Sequence, residues 1–585
     1  MTARIPSFSV SFFPRLLACL LLVLACCNPE ARAQAPGWQA VLALTSGSGP
    51  VPEVAAQATD ASGNIFLTGR LVGTVAFGTT TLTSAGNGDI FVAKWSPTTG
   101  QFVWAQRAGG TSSEVAMGLA VSGTNVYVSG YFTSATADFG PVTLTNSNSG
   151  TTSATDVFVA KLTDSGSSGA FVWAQRARGS WAVVAASGSN VYVAGHFGGP
   201  QADFGNIVLQ NSGNLLYLDA FVAKLTDDGA TGRFVWAQQV GGANTDWIFS
   251  VAASGSNVYV GGGFNSAAAV FGPATLANGG QTDAFVAKLT DAGATGQFVW
   301  AQRAGGASAE RVNALAVSGP SVYAVGGFSS SSAAFGGTTL GSVGDNDVFV
   351  AKLTDAGATG SFVWAQRGGG PATNSAGDQA QTVAVSGTSL YVAGTFAGAT
   401  ATFGGTTLTR GSTARTSIFL TRLVDAGPTG SFAWTQAAGG DVSNTAVGVG
   451  VIGSRVYLTG GVITPALFGS TLLTAANGSV AYMAVVADPL ALAAGAPATA
   501  WAGTIELAPN PAHAVAEVRV AAVAGATQLS LTLCDALGRV VHTEQLALPA
   551  VGARATVPLT GLAPGLYQLR VQAGSWRAVR ALVVE

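Results

Sequence analysis

The chain has 585 residues, of which 9% are charged, and its formal net charge is −2. A nucleic-acid-binding protein needs a basic stripe, and this composition has none, so that class is excluded. Mean hydropathy is +0.40, yet no apolar run is long enough to cross a membrane as a helix. The composition therefore indicates a large fold of dense, short β-strands, with no transmembrane span in the mature chain.

The N-terminal segment has the pattern of a secretory signal. Two arginines precede an apolar run, residues 16–27, and small residues at positions 31 and 33 suit cleavage. We therefore predict a signal peptide over residues 1–33. A lipoprotein signal with Cys26 as the lipidated residue is the open alternative.

Residues 34–488 carry a long-period repeat. A tryptophan recurs at spacings of 63 to 70 residues, at Trp38, Trp104, Trp173, Trp236, Trp300, Trp364 and Trp434. A Phe-Gly pair, from Phe77-Gly78 to Phe468-Gly469, and an aromatic strand that ends in glycine follow the same period. Each marker occurs seven times, and a fixed period of this length is the signature of a repeat array.

Each repeat holds four short β-rich runs that are separated by Gly/Ser/Thr-rich loops, and it lacks helical periodicity. Four strands per repeat predict a blade, and radial repetition of blades protects the sheet edges. We therefore predict an all-β fold, a seven-bladed β-propeller of four-stranded blades over residues 34–488.

The phase of the repeat predicts how the ring closes. The Phe-Val-Ala-Lys run and the following Phe-Val-Trp run, as in residues 283–302, read as the two strands of a β-hairpin. The Trp strand of each repeat would then complete the preceding blade. Trp38–Leu44 has no such partner before it, so we expect it to supply the outer strand of the last blade.

The repeat also resembles a known family. The pattern Asp-x-Phe-Val-Ala-Lys-Leu, a glycine loop, Val-Trp-Ala-Gln, Gly-Gly and Asn-Val-Tyr-Val-x-Gly is similar to the bacterial β-propeller repeats called SBBP, over residues 38–487. The resemblance implies the repeat architecture and says little about function, because propellers host many unrelated activities.

All five lysines of the chain occupy one repeat position, with Arg422 at the same place in the sixth copy. An aspartate stands five residues before each lysine. Opposite charges that repeat with the fold favour ion pairs that join blades or fix turns. The lysines are Lys94, Lys161, Lys224, Lys288 and Lys352, and the aspartates are Asp89, Asp156, Asp219, Asp283 and Asp347.

Acidic residues recur four places after the Gly-Gly turn, where the innermost strand should begin. These strand starts would surround one end of the central channel, which we call the mouth. The acids are Glu114, Asp246 and Glu310, with Glu53 and Asp378 matched to them across different loops. Two interpretations stay open: an acidic rim that binds a cation or sugar hydroxyls, or carboxylates that accept N–H bonds from a neighbouring turn.

Non-repeated residues near the same mouth include Trp181, Trp247 and Arg311. An exposed tryptophan beside carboxylates suits stacking on a sugar ring, and packing between blades is the alternative. The candidate ligand-binding residues are therefore Glu53, Glu114, Trp181, Asp246, Trp247, Glu310, Arg311 and Asp378.

Catalytic and metal-binding signatures are missing from the sequence. The three histidines, His196, His513 and His542, are isolated, and no serine elbow, His-Glu-x-x-His, phosphate loop or calcium loop is present. After the signal peptide only Cys534 remains, so neither a cysteine metal cluster nor an intramolecular disulfide can form. We expect no catalytic residue, no metal site and no cofactor.

The composition changes after the repeats. Residues 489–504 are rich in alanine and proline and read as a linker. Residues 505–585 carry several short alternating runs, which predict a small β-sandwich of the Ig-like kind.

The C-terminal segment also resembles a known domain. Its motifs are similar to the type A sorting domain of proteins exported by the type IX secretion system (Por secretion) of Bacteroidota. The resemblance implies the secretion machinery as a partner, passage through the periplasm, and release or attachment at the outer-membrane surface. The motif residues are Pro509, Asn510, Pro511, Asp535, Gly538, Pro564, Gly565 and Tyr567.

The expected function is a non-enzymatic scaffold, secreted or on the cell surface, that binds a glycan or a protein. The alternative is a glycan-active hydrolase or lyase that uses carboxylates at the mouth as acid and base. A purely structural spacer is the third possibility.

Overall fold

A computed structural model describes most of the chain after the predicted signal peptide. The described residues are 35–44, 51–147, 155–213, 216–372, 377–411, 414–440, 442–475, 478–489, 505–520, 527–535, 539–548, 553–573 and 576–585. The predicted signal peptide and nearly all of the predicted linker lie outside them. Among the described residues no helix has the length and hydropathy to cross a membrane.

The named elements are all β-strands, as predicted. Strands of the first half of the repeats are β1 (Trp38–Ala43), β2 (Glu53–Thr59), β3 (Ile65–Leu71), β4 (Thr74–Phe77), β5 (Thr80–Thr83), β6 (Asp89–Ser96), β7 (Gln101–Gly110), β8 (Glu114–Ser122), β9 (Asn125–Phe132), β10 (Thr136–Phe139), β11 (Val142–Thr145), β12 (Asp156–Asp164), β13 (Gly169–Arg178), β14 (Trp181–Ser187), β15 (Asn190–Phe197), β16 (Gln201–Phe204), β17 (Ile207–Gln210), β18 (Asp219–Asp227), β19 (Gly232–Val240), β20 (Asp246–Ser254) and β21 (Asn257–Phe264). Strands of the second half are β22 (Ala268–Phe271), β23 (Ala274–Ala277), β24 (Asp283–Asp291), β25 (Gly296–Gly305), β26 (Glu310–Ser318), β27 (Ser321–Phe328), β28 (Ala333–Phe335), β29 (Thr338–Leu340), β30 (Asp347–Asp355), β31 (Gly360–Gly369), β32 (Gln379–Ser386), β33 (Ser389–Phe396), β34 (Thr400–Phe403), β35 (Thr406–Thr409), β36 (Ser417–Asp425), β37 (Gly430–Gly440), β38 (Asn444–Ile452), β39 (Arg455–Ile463), β40 (Ala466–Phe468), β41 (Thr471–Leu473) and β42 (Ser479–Ala487).

In the described part of the chain, seven antiparallel sheets contain the same order of four strands. Unit 1 is β2-β3-β6-β7, and the order recurs as unit 2 (β8-β9-β12-β13), unit 3 (β14-β15-β18-β19), unit 4 (β20-β21-β24-β25), unit 5 (β26-β27-β30-β31), unit 6 (β32-β33-β36-β37) and unit 7 (β38-β39-β42-β1). The strands of a unit are called first to fourth in this order. Four-stranded antiparallel sheets of this kind are consistent with a β-propeller.

The N-terminal strand belongs to the last unit. β1 pairs antiparallel with β42, with Val41 opposite Ala484. The prediction that Trp38–Leu44 supplies the outer strand of the last unit is therefore confirmed. The first strands of successive units lie side by side, and β38 lies beside β2. Thr459 of β39 also donates a 2.8 Å hydrogen bond to Gln57 of β2.

The third strand of each unit is buried on both faces, which explains why its sequence is apolar without alternation. In β12 every residue from Asp156 to Leu162 is buried. Phe158 packs against Phe139 with ring centroids 4.9 Å apart. Each such phenylalanine stabilises the fold by about 1.5–3 kcal/mol.

The Phe-Gly pairs form short hairpins that cover the sheet edges. In unit 2, β10 ends at the buried Phe139, and Gly140, with φ of +59°, turns the chain into β11. β10 also pairs with β7, the fourth strand of unit 1. The hairpins of units 5, 6 and 7 pair with the preceding unit in the same way. An edge that is covered in this way is protected from pairing with other chains.

The C-terminal segment forms two further antiparallel sheets, β43-β44-β47 and β46-β45-β48-β49. Their strands are β43 (Ile505–Ala508), β44 (Val515–Val520), β45 (Gln528–Cys534), β46 (Val540–Ala547), β47 (Ala553–Pro558), β48 (Gly565–Ala573) and β49 (Trp576–Val584). Val518 of one sheet and Leu531 and Leu569 of the other belong to a single buried core. Two sheets over one core agree with the predicted sandwich, and its Ig-like character stays a prediction.

Candidate functional site

The repeated lysines join neighbouring units. Lys161 of unit 2 places its Nζ 2.7 Å from Oδ2 of Asp227, which ends the third strand of unit 3. Trp173 Nε1 and the hydroxyl of Tyr127 donate to the same carboxylate at 3.0 and 2.7 Å. Burial alone would raise the pKa of Asp227, but these hydrogen bonds outweigh it and lower the pKa. We call this arrangement the latch.

The ion pair of the latch recurs at six junctions between units, and the predicted joining role is confirmed. At the junction of units 1 and 2, Phe66 stands where Tyr127 stands in unit 2, so the tyrosine bond is missing there. The predicted partners were wrong: each cation pairs with the aspartate at the far end of the third strand in the next unit. At the junction of units 7 and 1, Val485 stands opposite Tyr457, where other units have the cation. The pairs are Lys94–Asp164, Lys161–Asp227, Lys224–Asp291, Lys288–Asp355, Lys352–Asp425 and Arg422–Asp488.

Four of the predicted rim acids are buried and bound to backbone. Glu114 accepts hydrogen bonds from the N–H groups of Gly110 and Ser134. Asp246, Glu310 and Asp378 make the equivalent bonds in units 4, 5 and 6. Burial raises the pKa of Asp246 and of Asp378 to about 6. This geometry matches the turn-fixing interpretation of these acids.

Glu53 differs from the other acids. In the strand register Glu53 stands opposite Arg70 of the second strand, and Val115 stands opposite Tyr131, the equivalent residue of unit 2. The counterpart of Glu53 in unit 2 is therefore Val115 and not Glu114. The two strands carry their bulge at equivalent residues, Ala55 and Met117, so the one-residue offset is already present where the strands begin. The Glu53 side chain is 75% exposed, and its carboxylate lies 3.9 Å from Arg70 Nη1.

Trp181, Trp247 and Arg311 take the place of Glu53 in units 3, 4 and 5, opposite His196, Gly263 and Gly327. Phe249 connects the three. Its ring lies 6.4 Å from that of Trp247 and nearly parallel to it, 6.0 Å from Trp181 edge-on, and 5.7 Å from the Arg311 guanidinium. We call Trp181, Trp247, Phe249 and Arg311 the aromatic row.

Neighbouring side chains extend the aromatic row at both ends. Arg311 donates a 2.6 Å hydrogen bond to Gln379 of unit 6. At the other end His196 stacks on Trp181, with ring centroids 6.2 Å apart. His196 is buried, and burial lowers its pKa to about 4. It is therefore neutral at physiological pH and serves the row as a flat support.

A pocket of about 400 Å³ opens beside the row between units 4 and 5. Its lining includes Trp247, Phe249, Arg311, Ser329 and Asn346, so it combines aromatic faces with amide, hydroxyl and guanidinium groups. A second pocket, of about 470 Å³, lies between units 7 and 1 and includes Glu53. The structure thus separates Glu53 from the other candidates, and it brings Trp247, Glu310 and Arg311 together.

Phe249, His196 and Asn346 were missed at the level of sequence. Phe249 is the bulged residue between Ile248 and Ser250. The bulged residues of units 2 and 5 are Met117 and Asn313. A bulky aromatic side chain at a position that varies between repeats is the signal that could have identified Phe249.

The sorting-motif residues mostly fix the ends of the C-terminal sheets. Asn510 Oδ1 accepts the N–H of Val583 in the last strand at 2.9 Å. Asp535 pairs with Arg539 at 2.7 Å. The Tyr567 hydroxyl donates to the carbonyl of Ala563 at 2.8 Å. Pro509, Pro511, Pro564 and Gly565 lie in the adjoining turns and strand start, and Gly538 lies outside the described residues.

Residues 506–585 match the family described as the secretion system C-terminal sorting domain. The chain therefore carries a type IX sorting domain, and the class of protein that this defines is one exported to the cell surface or the extracellular space. No curated protein matches the chain.

Two solved structures are similar over large parts of the chain. One is an acylaminoacyl peptidase from Pyrococcus horikoshii, with 8% identity and a TM-score of 0.34 over 81% of this chain and 58% of that one. The other is a protein of unknown function from Dyadobacter fermentans, with 10% identity and a TM-score of 0.27 over 68% of this chain and 97% of that one. The chain thus matches 58% of the peptidase chain, and neither likeness bears on its activity.

Proposed function

We propose that the chain is an exported, closed seven-bladed propeller of SBBP type that binds a glycan at its mouth without transforming it. Seven units of one strand order support the ring. So do the pairing of β1 with β42 and the contact between β38 and β2. A predicted signal peptide and the sorting domain would bring the propeller through the periplasm to the surface.

The observation that carries the binding role is the aromatic row beside the pocket between units 4 and 5. Binding sites are typically concave, with aromatic walls and a few placed polar groups. Trp247 and Phe249 provide the aromatic wall, and Arg311 and Asn346 provide donors for hydroxyl or carboxylate oxygens. A sugar ring presents one apolar face and a rim of hydroxyls, which suits this combination.

The carboxylates favour binding over the hydrolase or lyase alternative. Such chemistry needs an acid and a base that both reach the substrate at a defined separation. Glu114, Asp246, Glu310 and Asp378 are buried, and their oxygens accept backbone N–H groups. The lining of the pocket beside the row includes Glu310 but no second carboxylate among the described residues. Glu53 is exposed but belongs to the other pocket, between units 7 and 1.

The test is titration of the mature full-length chain with a panel of neutral and acidic polysaccharides. We expect at least one to bind, and Trp247→Ala and Arg311→Ala each to weaken that binding about tenfold, or roughly 1.4 kcal/mol. Thr445→Ala is the matched control, because Thr445 occupies the same place in unit 7. Binding that neither row variant changes would overturn the assignment of the site. Shortened or unsaturated products would establish the enzyme alternative, and capture of a protein alone would overturn the glycan.

A further inference from the structure

Pairs of buried carboxylates from neighbouring units converge beside a glycine. Asp219 begins the third strand of unit 3, and Asp246 begins the first strand of unit 4. A Cβ atom added to Gly241 would lie 2.5 Å from Asp219 Oδ1 and 3.1 Å from Asp246 Oδ2. Both aspartates are completely buried. Two carboxylate oxygens from different units therefore lie close to the same buried backbone position.

One oxygen of this pair has no donor. Asp219 Oδ2 accepts hydrogen bonds from the Ser212 N–H and from Gln239, but Oδ1 has no hydrogen-bond partner among the described residues. Within the same residues neither aspartate forms an ion pair. A buried anionic oxygen without a partner is costly, so the geometry calls for a positive charge at this point. Burial raises the pKa of both carboxyl groups, which reflects the same cost.

The arrangement recurs at three more junctions. In each pair the first aspartate is completely buried, and its Oδ1 has no partner in the described part of the chain. In each pair an oxygen of the second acid lies near the same missing Cβ. The four pairs and their glycines are Asp89–Glu114 at Gly109, Asp219–Asp246 at Gly241, Asp283–Glu310 at Gly305 and Asp347–Asp378 at Gly369.

Two of the other junctions show that the unpaired oxygen occurs only where the second carboxylate is present. Asp156 of unit 2 has the same place in its strand, but Ser180 precedes the next unit where an acid would stand. There the Ser147 hydroxyl donates to Asp156 Oδ1 at 2.9 Å. Between units 6 and 7 both positions are neutral, with Ser417 and Asn444. At these two junctions, where the carboxylate pair is absent, no buried carboxylate oxygen lacks a hydrogen-bond donor among the described residues.

We propose that each of the four carboxylate pairs binds a hard cation, with the chemistry of Ca²⁺, and that these ions join neighbouring units. Ca²⁺ takes about six to eight oxygen ligands at roughly 2.3–2.6 Å, and backbone carbonyls and water can be among them. Among the described residues no three His, Cys, Asp or Glu side chains meet, so carbonyls and water would complete the shell around each pair. This favours Ca²⁺ over Zn²⁺, which binds through nitrogen and sulfur ligands.

The four sites should differ in affinity because their net charges differ. Asp89, Asp283 and Asp347 each pair with an arginine of the fourth strand, which offsets one negative charge. Gln239 takes the place of that arginine beside Asp219, so no positive charge offsets the two negative charges of the Asp219–Asp246 pair. This pair should bind Ca²⁺ most tightly. Extracellular calcium modules have dissociation constants on the order of 10⁻⁴–10⁻³ M, which suits a protein exported to the surface.

The experiment measures bound Ca²⁺ per mature full-length chain by equilibrium dialysis and elemental analysis, and the thermal midpoint in Ca²⁺ and in EDTA. Asp246→Asn is the test variant, because Asn444 occupies its place in unit 7 and still accepts the Gly440 N–H. Asp219→Asn is a second variant that leaves no arginine unpaired. Asp156→Asn is the matched control.

We expect one bound Ca²⁺ for each of the four pairs, one fewer in Asp246→Asn and Asp219→Asn, and no loss in Asp156→Asn. The wild-type midpoint should rise by at least about 2 °C in saturating Ca²⁺. Absence of bound Ca²⁺, or equal Ca²⁺ in wild type and Asp246→Asn, would overturn the proposal. A thermal midpoint that changes with pH but not with Ca²⁺ would also overturn the proposal, and it would indicate that the two carboxylates of a pair share a proton.

Discussion

Lys161 and Asp227 are 66 residues apart in the sequence, and they meet as a buried ion pair between units 2 and 3. Their side chains are 5% and 3% exposed. Tyr127 and Trp173 donate to the same carboxylate. Loss of that one charge would therefore leave a buried ammonium group without its counter-ion and weaken two further hydrogen bonds.

Asp227→Asn should destabilise the protein by about 3–5 kcal/mol, the usual cost when one partner of a buried ion pair is removed. Urea unfolding followed by tryptophan fluorescence measures the effect as a lower midpoint. Asp228→Asn is the control, because Asp228 is exposed and adjacent. Equal midpoints for the two variants would show that the latch does not hold the units together.

The stability of the protein in EDTA should fall as the pH rises from about 4 to 7. Burial raises the pKa of Asp246 and Asp378 to about 6, above the unfolded value of about 3.9. Their contribution is fully present below the unfolded value and is lost as the pH rises through about 6, at a cost of about 3 kcal/mol each. The measurement is the thermal midpoint as a function of pH, and the double variant Asp246→Asn/Asp378→Asn should flatten it.

The latch aspartates act in the opposite direction. Their hydrogen bonds lower the pKa in spite of burial, so their contribution is present above about pH 4 and is lost as the pH falls through the lowered pKa. Stability should therefore be highest near pH 4–5. A midpoint that rises steadily from pH 4 to 7 in EDTA would contradict the raised pKa values. The aspartates are Asp227, Asp291, Asp355 and Asp425.

Repetition made the four-strand units and the joining role of the lysines predictable. A residue that has the same place in every unit, such as Trp173 or Phe139, appears seven times in the sequence as a marker. The partner of Lys161 was not predictable, because aspartates stand at both ends of the third strand and only the register between units selects Asp227.

The candidate site was harder to predict than the fold. Glu53 was placed one residue off because counting from the preceding glycines does not fix the strand register, which makes Glu53 equivalent to Val115. Phe249 and His196 do not repeat, so no period identifies them. Trp181, Trp247 and Arg311 were recognised as exceptions to the repeat, but only the structure shows that Phe249 connects them.

Removal of residues 505–585 should stop export, because the sorting domain is what the secretion machinery recognises. We expect the shortened chain to accumulate in the periplasm, while the full chain reaches the surface or the medium. Cell fractionation with an antibody to the repeat region measures the distribution. Asn510→Ala is a milder variant that loses the bond to the Val583 N–H, and it should destabilise the domain by about 1 kcal/mol. Unchanged export of the shortened chain would contradict the prediction.

Trp38 should hold the N-terminal strand in the last unit. Its ring packs edge-on against Phe468 of the hairpin in unit 7, with centroids 5.3 Å apart. β1 also covers the edge of β42, which would otherwise be open to pairing with other chains. Trp38→Ala should cost about 3 kcal/mol, the low end for a tryptophan, because the side chain is only partly buried.

The unfolding midpoint and the sedimentation profile of the Trp38→Ala variant measure this effect. Gly37→Ala is the matched control, since a Cβ at that neighbouring position meets no atom within 4 Å. A lower midpoint with self-association in Trp38→Ala alone would mean that β1 closes unit 7 and protects its edge. If the two variants behave alike, the last unit is stable without its N-terminal strand, and the proposed closure of the ring would have to rest on the contact between β38 and β2 alone.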